Sequence, residues 1–258
     1  MIAAGLDVGS RTIKLVTLVD SLERPRDALV VASGANPLRR CREMLSGLNG
    51  VPLIVTGYGR HLVADELGAH KVSEIKAYAV GVRRLCPDAR TVIDIGGQDS
   101  KVTQMGENGE VLKFEMNDRC AAGTGRFLEV MAATLEVSIG DLGSLGLSAS
   151  KAAHVNSLCT VFAESEVVSL ISRGEEGSSV ALALHDAIAI RIAAMARRVG
   201  IKERVVFAGG AALNPCLKKM LSDKLGIEVA VPDSPQTVGA LGAAILAQMN
   251  MEKSSHGS

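Results

Sequence analysis

Aromatic residues are the scarcest class of side chain in this sequence, which has no Trp, 2 Tyr and 4 Phe among its 258 residues. Proteins that bind single-stranded nucleic acid stack the bases on aromatic side chains, so the composition argues against that class. An excess of charge is also absent, because 28 Lys and Arg balance 28 Asp and Glu. A neutral chain has no general attraction for nucleic acid or for an anionic membrane, and we expect neither as a partner.

The sequence also lacks a recognisable secretion signal and a long uninterrupted apolar run. Its first residues lead directly into a predicted strand. The most apolar helix candidate, 180–196, is interrupted by His185, Asp186 and Arg191, which argues against a membrane span. An odd number of cysteines, 5, without a secretion signal indicates a reducing compartment. We therefore expect a cytoplasmic protein without disulfides, in which cysteines are available for metal or redox chemistry.

One pattern occurs twice: an apolar run, then Asp-x-Gly, then a lysine seven residues after the aspartate. The two copies are residues 5–14, with Asp7 and Lys14, and residues 92–101, with Asp94 and Lys101. An apolar run into Asp-x-Gly is typical of a buried strand that ends in a turn. The glycines let backbone N–H groups approach an anion, and the aspartate can face a hydrated Mg²⁺. Two copies predict a duplicated protein that holds nucleotide phosphates from both sides.

The order of the predicted elements repeats as well. A β-hairpin, further strands and short helices cover residues 2–85, and the same order of strands starts again at Thr91, followed by longer helices. We expect lobe I to comprise residues 1–90 and a C-terminal helix at about 240–250, and lobe II to comprise residues 91–239. The nucleotide is expected in the cleft between the two lobes.

Two glycine-rich segments follow the hairpins, Val206–Ala212 and Val238–Ala244. Together with the hairpins they resemble the superfamily of acetate kinase, the sugar kinases, Hsp70 and actin. The resemblance implies an α/β, ribonuclease H-like fold of two lobes, with mixed sheets flanked by helices and ATP bound between the lobes. It also implies that Gly209, Gly210 and Ala211 contact the adenosine, and that the second segment begins a helix whose small residues permit close packing.

The expected nucleotide contacts lie in the hairpins and in later glycine-containing turns. They are Gly9, Ser10, Arg11, Lys14, Gly96, Gly97, Gln98, Lys101, Gly123, Gly125, Gly209, Gly210 and Ala211. Asp7 and Asp94 are expected to anchor hydrated Mg²⁺ and, with Gln98, to act in catalysis, because a glutamine amide can orient an attacking water. For Lys14 and Lys101, contact with phosphate and simple exposure on a strand are both open.

Two segments that contain cysteine carry a closer resemblance. Residues 117–127 read Asn-Asp-Arg-Cys-Ala-Ala-Gly-Thr-Gly-Arg-Phe, and residues 159–166 read Cys-Thr-Val-Phe-Ala-Glu-Ser-Glu. With residues 56–60 and 94–101, they resemble the ATP-dependent activators, or archerases, of 2-hydroxyacyl-CoA dehydratases and the ATPase subunits of benzoyl-CoA reductases. The resemblance extends over about residues 2–248. In that family, one cysteine from each segment binds a 4Fe–4S cluster shared by two subunits, which implies Cys120 and Cys159 as ligands.

The chemistry of these residues agrees with that implication. A cubane cluster needs four thiolates, and a symmetric homodimer would bring two cysteines from each chain to its axis. Both cysteines precede predicted helices, whose N-termini lower a thiol pKa and stabilise an anion. Zinc would accept the same four sulfurs, so the number of ligands does not separate the two metals. We interpret Cys41, Cys86 and Cys216 as packing residues.

The resemblance implies an ATPase that acts as a one-electron donor in an anaerobic cell. A reduced ferredoxin or flavodoxin would load the cluster, one per homodimer, and hydrolysis of ATP to ADP with Mg²⁺ would change the angle between the lobes. The electron would pass to an iron–sulfur acceptor enzyme, a dehydratase or a reductase. Two alternatives are open at this stage: a small-molecule kinase of the N-acetylglucosamine type, in which the cysteines are incidental, and a nucleotide-dependent redox sensor.

Overall fold

The computed structural model describes residues 2–19, 27–155 and 160–255. Two five-stranded mixed sheets are each flanked by helices, which is the α/β architecture that the sequence predicts. The chain divides into two compact units. Unit 1 comprises Met1–Ala89, Met105–Val111 and Gln236–Ser258, and unit 2 comprises Arg90–Gln104 and Leu112–Pro235.

The two sheets share one strand order. The first contains β1 (Ile2–Val8), β2 (Thr12–Val19), β3 (Asp27–Ala32), β4 (Leu53–Thr56) and β5 (His70–Lys71), in the spatial order β3-β2-β1-β4-β5. The second contains β6 (Thr91–Ile95), β7 (Ser100–Met105), β8 (Val111–Asn117), β9 (Val205–Ala208) and β10 (Val229–Ala230), in the order β10-β9-β6-β7-β8. Read from its other edge, the second sheet repeats the first strand for strand.

Pairing in the sheets repeats in the same way. β1 pairs antiparallel with β2 and parallel with β4, and β6 pairs antiparallel with β7 and parallel with β9. The helices are α1 (Pro37–Met44), α2 (Arg60–Leu67), α3 (Glu74–Leu85), α4 (Gly125–Thr134), α5 (Leu142–Leu147), α6 (Thr160–Ser172), α7 (Gly177–Val199), α8 (Pro215–Leu225) and α9 (Val238–Ser255), with short 3-10 helices at Gly210–Leu213 and Pro235–Thr237.

The central strand of unit 1 is buried on both faces, because helices cover both sides of the sheet. Ala4, Leu6 and Val8 of β1 pack in one cluster with Cys41 of α1 and Val63 of α2. The alternate residues of the strand point to the opposite face, as the period of two in a strand requires. The continuous apolar run in β1 predicts a strand that is buried in an aliphatic core on both of its faces.

The opposite face of this sheet is covered by α9, and small residues make the close packing possible. A Cβ atom at Gly5 of β1 would overlap the carbonyl oxygen of Ala240. At Gly242 of α9 it would overlap the carbonyl oxygen of Ala77 in α3. The prediction that the small residues of 238–244 permit close helix packing is thus confirmed within unit 1.

The core of unit 2 is built around α7. Phe127 of α4, Ile188 and Ile192 of α7 and Phe207 of β9 share one buried cluster. Among the described residues, α7 alone is long and apolar enough to cross a membrane, but 67% of its most apolar 18-residue window is buried inside the protein. Such burial is expected for the central helix of a large core.

Helix α5 was not predicted from the sequence, and its two glycines are the reason. Glycine lowers helix propensity by about 1 kcal/mol relative to alanine. A Cβ atom at Gly143 would lie 2.6 Å from Oδ1 of Asn214, and one at Gly146 would lie 3.0 Å from Sγ of Cys216. Tertiary packing against α8 therefore selects glycine here against local preference. The spacing of the apolar residues Leu38, Cys41, Leu45 and Leu48 predicts a helix from Pro37 to Leu48, but α1 ends at Met44.

Candidate functional site

The first hairpin holds a buried ion pair next to its turn. Asp7 of β1 and Lys14 of β2 are direct cross-strand partners. Nζ of Lys14 lies 3.3 Å from Oδ2 of Asp7, with side-chain exposures of 12% and 5%. A carboxylate in such a setting needs a nearby cation, because an unpaired buried charge is strongly unfavourable.

The second hairpin repeats this pair. Asp94 of β6 and Lys101 of β7 are cross-strand partners, with Nζ of Lys101 3.4 Å from Oδ2 of Asp94 and 2.7 Å from Oδ1 of Asp99. The Lys101 side chain is only 5% exposed. Simple exposure on a strand is therefore the wrong alternative for Lys14 and Lys101. Contact of these ammonium groups with phosphate stays a prediction.

The turns of the two hairpins are closed by equivalent hydrogen bonds. The N–H of Gly9 donates to the carbonyl oxygen of Thr12 at 3.1 Å, and the N–H of Gly96 donates to that of Asp99 at 2.9 Å. In the second turn Gln98 is exposed. A side chain at that position is accessible to water and ligand, as its predicted role requires.

Each buried aspartate is also covered by a glycine from the neighbouring parallel strand. Gly57 follows β4 with φ of +93°, and Gly209 follows β9 with φ of +86°, a region that residues with a Cβ atom rarely adopt. A Cβ atom at Gly57 would collide with Oδ1 of Asp7, and one at Gly209 would collide with Oδ1 of Asp94. The relation between these two glycines is not evident from the sequence. The available signal was that each ends a strand that pairs with an Asp-x-Gly strand.

The segment expected to contact adenosine forms a tight turn after β9. The N–H of Gly209 donates to the carbonyl oxygen of Pro235 at 2.9 Å, and the N–H of Ala212 donates to that of Gly209 at 3.2 Å. Gly210 is exposed, and apart from its chain neighbours none of the described residues has an atom within 4 Å of an added Cβ position. The turn is thus fixed on one side and accessible on the other, which suits a ligand contact.

The turn of the second hairpin is bonded to the start of α4. The N–H of Gly125 donates to the carbonyl oxygen of Gly96, and the N–H of Arg126 donates to that of Gly97, both at 2.8 Å. An added Cβ atom at Gly125 would lie 3.1 Å from the Gly96 oxygen, so glycine permits this approach. Contact of Gly125 with nucleotide stays a prediction, and the bond from its amide to the hairpin turn is a contact that the sequence does not predict.

Cys120 lies in a loop that joins β8 to α4, which we call the cysteine loop and define as Asp118–Thr124. Its side chain is half-buried, and Cys120 is a free cysteine. Cys120 precedes α4, as the sequence predicts, and because α4 begins at Gly125 the loop is not ordered by helical hydrogen bonds. The order of this loop comes instead from side-chain hydrogen bonds of Asn117 and Thr124 to its carbonyl oxygens.

The remaining four cysteines fall into three cases. Cys159 falls outside the described residues, so its predicted role as a ligand stays a prediction. Cys41 and Cys216 are fully buried, and burial raises the pKa of both thiols to about 11. The interpretation of these two as packing residues is confirmed. Cys86 is half-buried at the C-terminal end of α3.

The chain resembles known proteins over its whole length. The profile of the BadF/BadG/BcrA/BcrD ATPase family matches residues 4–247. The (R)-2-hydroxyglutaryl-CoA dehydratase activating ATPase of Acidaminococcus fermentans is 41% identical, over 96% of this chain and 98% of that protein. The solved structure of the activator of the 2-hydroxyisocaproyl-CoA dehydratase from Clostridium difficile, with bound ADPNP, has a TM-score of 0.92 and 38% identity, covering 100% of this chain and 98% of that chain.

A more distant neighbour bears on the fold alone. A ROK family glucokinase from Streptomyces griseus, solved with glucose and AMPPNP, has a TM-score of 0.62 at 14% identity and covers 96% of this chain and 100% of that chain. The predicted relation of the fold to the sugar kinases is thereby confirmed. The more similar proteins belong to the family that the cysteine-containing segments resemble, and they match this chain over nearly its full length. The chain therefore belongs to the BadF/BadG/BcrA/BcrD ATPase family.

Proposed function

We propose that this protein is an ATP-hydrolysing activator that delivers single electrons to an iron–sulfur enzyme, a 2-hydroxyacyl-CoA dehydratase or an aromatic acyl-CoA reductase. The observation that carries the proposal is the pair of 2.8 Å hydrogen bonds from the start of α4 to Gly96 and Gly97. They connect a predicted phosphate-binding turn to the helix that follows the cysteine loop. The named relatives, at about 40% identity over nearly the full chain, support the activator role.

In this proposal, each hairpin contributes the same parts to nucleotide chemistry. Asp7 and Asp94, which are paired with Lys14 and Lys101, would hold hydrated Mg²⁺, and this ion would supply neutralisation of phosphate charge and polarisation of the phosphoryl oxygens. Backbone N–H groups of the two glycine turns contact phosphate oxygens. The exposed amide of Gln98 orients the attacking water. Binding and positioning of this kind account for most of the catalysis in phosphoryl transfer.

The cysteine loop suits a cluster ligand. Cys120 is a free thiol with partial exposure, whereas Cys41 and Cys216 are buried with raised pKa values. We propose that Cys120 and Cys159 of two chains supply the four thiolates of one 4Fe–4S cluster in a homodimer. When bound, the cluster would store one electron from a ferredoxin or flavodoxin and release it to the acceptor.

The start of α4 couples nucleotide state to the cysteine loop. A change of ligand that moves the Gly96-Gly97 turn must also move Gly125 and Arg126, because the two backbone hydrogen bonds join them. ATP and ADP shift the position of α4 only to the extent that they bind its two arrangements with different affinity. For a one-electron couple, each factor of ten in that ratio corresponds to about 59 mV in potential.

The test is anaerobic purification followed by iron and sulfide analysis and by electron transfer. We expect a brown dimer with one 4Fe–4S cluster, which loses iron in Cys120→Ser and in Cys159→Ser but keeps it in the control Cys86→Ser. Reduced protein with MgATP should transfer an electron to the dehydratase of one of the named relatives, and reduced protein with MgADP should not. A colourless protein that phosphorylates amino sugars would show the kinase alternative instead.

A further inference from the structure

Asn117 holds the cysteine loop from the end of β8. Its Nδ2 atom donates two hydrogen bonds, to the carbonyl oxygen of Cys120 at 2.9 Å and to that of Ala122 at 3.1 Å. A primary amide has two N–H donors, and both are used on carbonyl groups on either side of Ala121. One short side chain therefore fixes the backbone on both sides of this residue.

Helix α7 supports Asn117 from behind. A guanidinium nitrogen of Arg191 approaches the Oδ1 atom of Asn117 to 3.5 Å, which fixes the orientation of the amide so that its N–H groups point to the loop. The stem of Arg191 also lies against the loop, since a Cβ atom added to Gly123 would be 3.2 Å from its Cδ atom. Asn117 thus joins the loop to a helix of the unit 2 core.

The carbonyl group between the two bound by Asn117 is also satisfied. The oxygen of Ala121 accepts hydrogen bonds from the N–H and from Oγ1 of Thr124, at 3.0 and 2.6 Å. In a trans peptide the N–H points opposite to the C=O. Because the carbonyls of Cys120 and Ala122 point to Asn117, the N–H groups of Ala121 and Gly123 point away from it. These amides are therefore presented on the far side of the loop.

We propose that Asn117 is a positioning residue for Cys120. It fixes the peptide groups of the cysteine loop so that the thiolate and the amides of Ala121 and Gly123 are preorganised for a cluster, whose potential depends on such hydrogen bonds. The inference rests on the proposed function for the identity of the ligand. The ordering of the loop by Asn117 does not require a cluster and can be measured without one.

The primary test uses iron-free protein and the isosteric variant Asn117→Asp. The carboxylate keeps the size of the side chain but has no donor and places negative charge against two carbonyl oxygens. We expect amide hydrogen exchange in residues 120–123, and the rate at which iodoacetamide labels Cys120, to rise by about tenfold. The matched control is Asn108→Asp in the exposed turn between β7 and β8, which should leave both rates unchanged.

A second measurement uses the protein as purified with its cluster. Asn117→Asp should shift the midpoint potential and speed the removal of iron by bathophenanthroline, and Asn117→Gln, which retains both donors, should recover part of each change. Arg191→Met removes only the outer contact and should give a smaller change in the same direction. It serves as the test if Asn117→Asp does not fold.

The outcomes are distinguishable. Wild-type rates of exchange and labelling in iron-free Asn117→Asp would overturn the positioning role, whatever the cofactor. Faster exchange and labelling in a protein that never contains iron would retain the ordering role and reject the proposed function. If all variants share one potential and one chelation rate although the loop exchanges faster in Asn117→Asp, the effect of Asn117 on the cluster is rejected.

Discussion

Asp7 and Lys14 face each other across the first hairpin, with 3.3 Å between carboxylate and ammonium and little exposure of either group. Asp94 and Lys101 do the same across the second hairpin at 3.4 Å. The lysine seven residues after each aspartate is therefore the cross-strand partner of that aspartate. This explains why both residues recur together in the sequence, since a hairpin of this length places them in register.

Removing one member of such a pair should lower the free energy of unfolding strongly, and removing both members should lower it less. We expect Lys14→Met to lower the free energy of unfolding by about 3–5 kcal/mol, because it leaves a buried carboxylate without its partner. The double variant Asp7→Asn with Lys14→Met should recover most of this loss while ATPase activity stays absent. Urea denaturation measures the first effect and phosphate release the second.

The exposed pair of Arg39 and Glu43 provides the control for that experiment. Its charged atoms lie 2.9 Å apart, but the Arg39 side chain is 78% exposed. Arg39→Met should change the free energy of unfolding by less than about 1 kcal/mol, as is usual for surface ion pairs. Equal effects of Lys14→Met and Arg39→Met would contradict the burial argument.

The glycine that covers Asp94 should be required for nucleotide binding. In Gly209→Ala the new methyl group collides with the carboxylate of Asp94, so we expect loss of Mg²⁺-dependent ATP binding. Gly174→Ala is a matched control, because Gly174 also has a positive φ, +87°, but open space around its Cβ position. Both variants carry backbone strain of about 1–2 kcal/mol, and only the first should lose affinity in calorimetric titration. Equal affinities would contradict the covering role.

Gly125→Ala should weaken the connection between the hairpin turn and α4. The added Cβ atom would be 3.1 Å from the carbonyl oxygen of Gly96 and 3.3 Å from Cα of Gly97, which forces the two segments apart. We expect ATP binding to persist, while the difference in iron chelation rate between ADP and ATP-analogue states falls. Gly140→Ala, with only an ordinary contact at 3.7 Å, should preserve that difference. A full nucleotide response in Gly125→Ala would argue against transmission through α4.

A buried histidine should make stability depend on pH. His185 is fully buried in α7. Its Nδ1–H donates to the carbonyl oxygen of Ala181, and its Nε2 accepts from the side-chain amide of Asn214 at 2.9 Å. Only the bond at Nε2 requires the neutral ring, because a protonated ring would still donate from Nδ1. Burial lowers the pKa of His185 below its ordinary value of 6.5, although the hydrogen bond to Ala181 opposes this.

The sign of the pH effect follows from the lowered pKa. Below pH 6.5 the unfolded chain binds a proton at His185 before the folded chain does, so the free energy of unfolding falls as the pH drops from 6.5 towards the lowered pKa. Above pH 6.5 this contribution is complete. Urea midpoints measured from pH 8 to pH 5 should show the decline, and His185→Gln should reduce it. The exposed His70 is the control, and His70→Gln should retain the wild-type profile.

The regular parts of the fold could be predicted because their signals are local. The bounds of β1 and β9 follow from apolar runs that end at Asp-x-Gly or Gly-Gly. Helix α8 begins at Pro215 and is terminated by Gly226, as these two residue types predict. Both hairpin aspartates were identified from the same local signal. Contacts between residues that are far apart in the sequence were predicted less well.

Contacts between distant segments account for what was missed. The cover of Asp7 by Gly57, the bond from Gly125 to Gly96 and the bonds from Asn117 to the cysteine loop all depend on how separate strands and helices are arranged. A glycine in the sequence permits the close approach of another segment but does not indicate which segment that will be. Asn117 occurs in a segment that carries the family resemblance, yet its role becomes evident only when its two acceptors are located.

Because the two halves of the chain share one strand order, the segments that follow equivalent strands can be compared directly. In the first half, Ser33 follows β3 directly and its Oγ donates to the carbonyl oxygen of Gly9 at 2.8 Å. In the second half, the equivalent oxygen, that of Gly96, is bound by Gly125, and Asp118–Thr124 lies between it and β8. The cysteine loop is therefore an insertion between a strand and an anchor point that both halves retain. The chain between β8 and α4 can therefore change in length and composition while the hairpin turn keeps its hydrogen bond at Gly96.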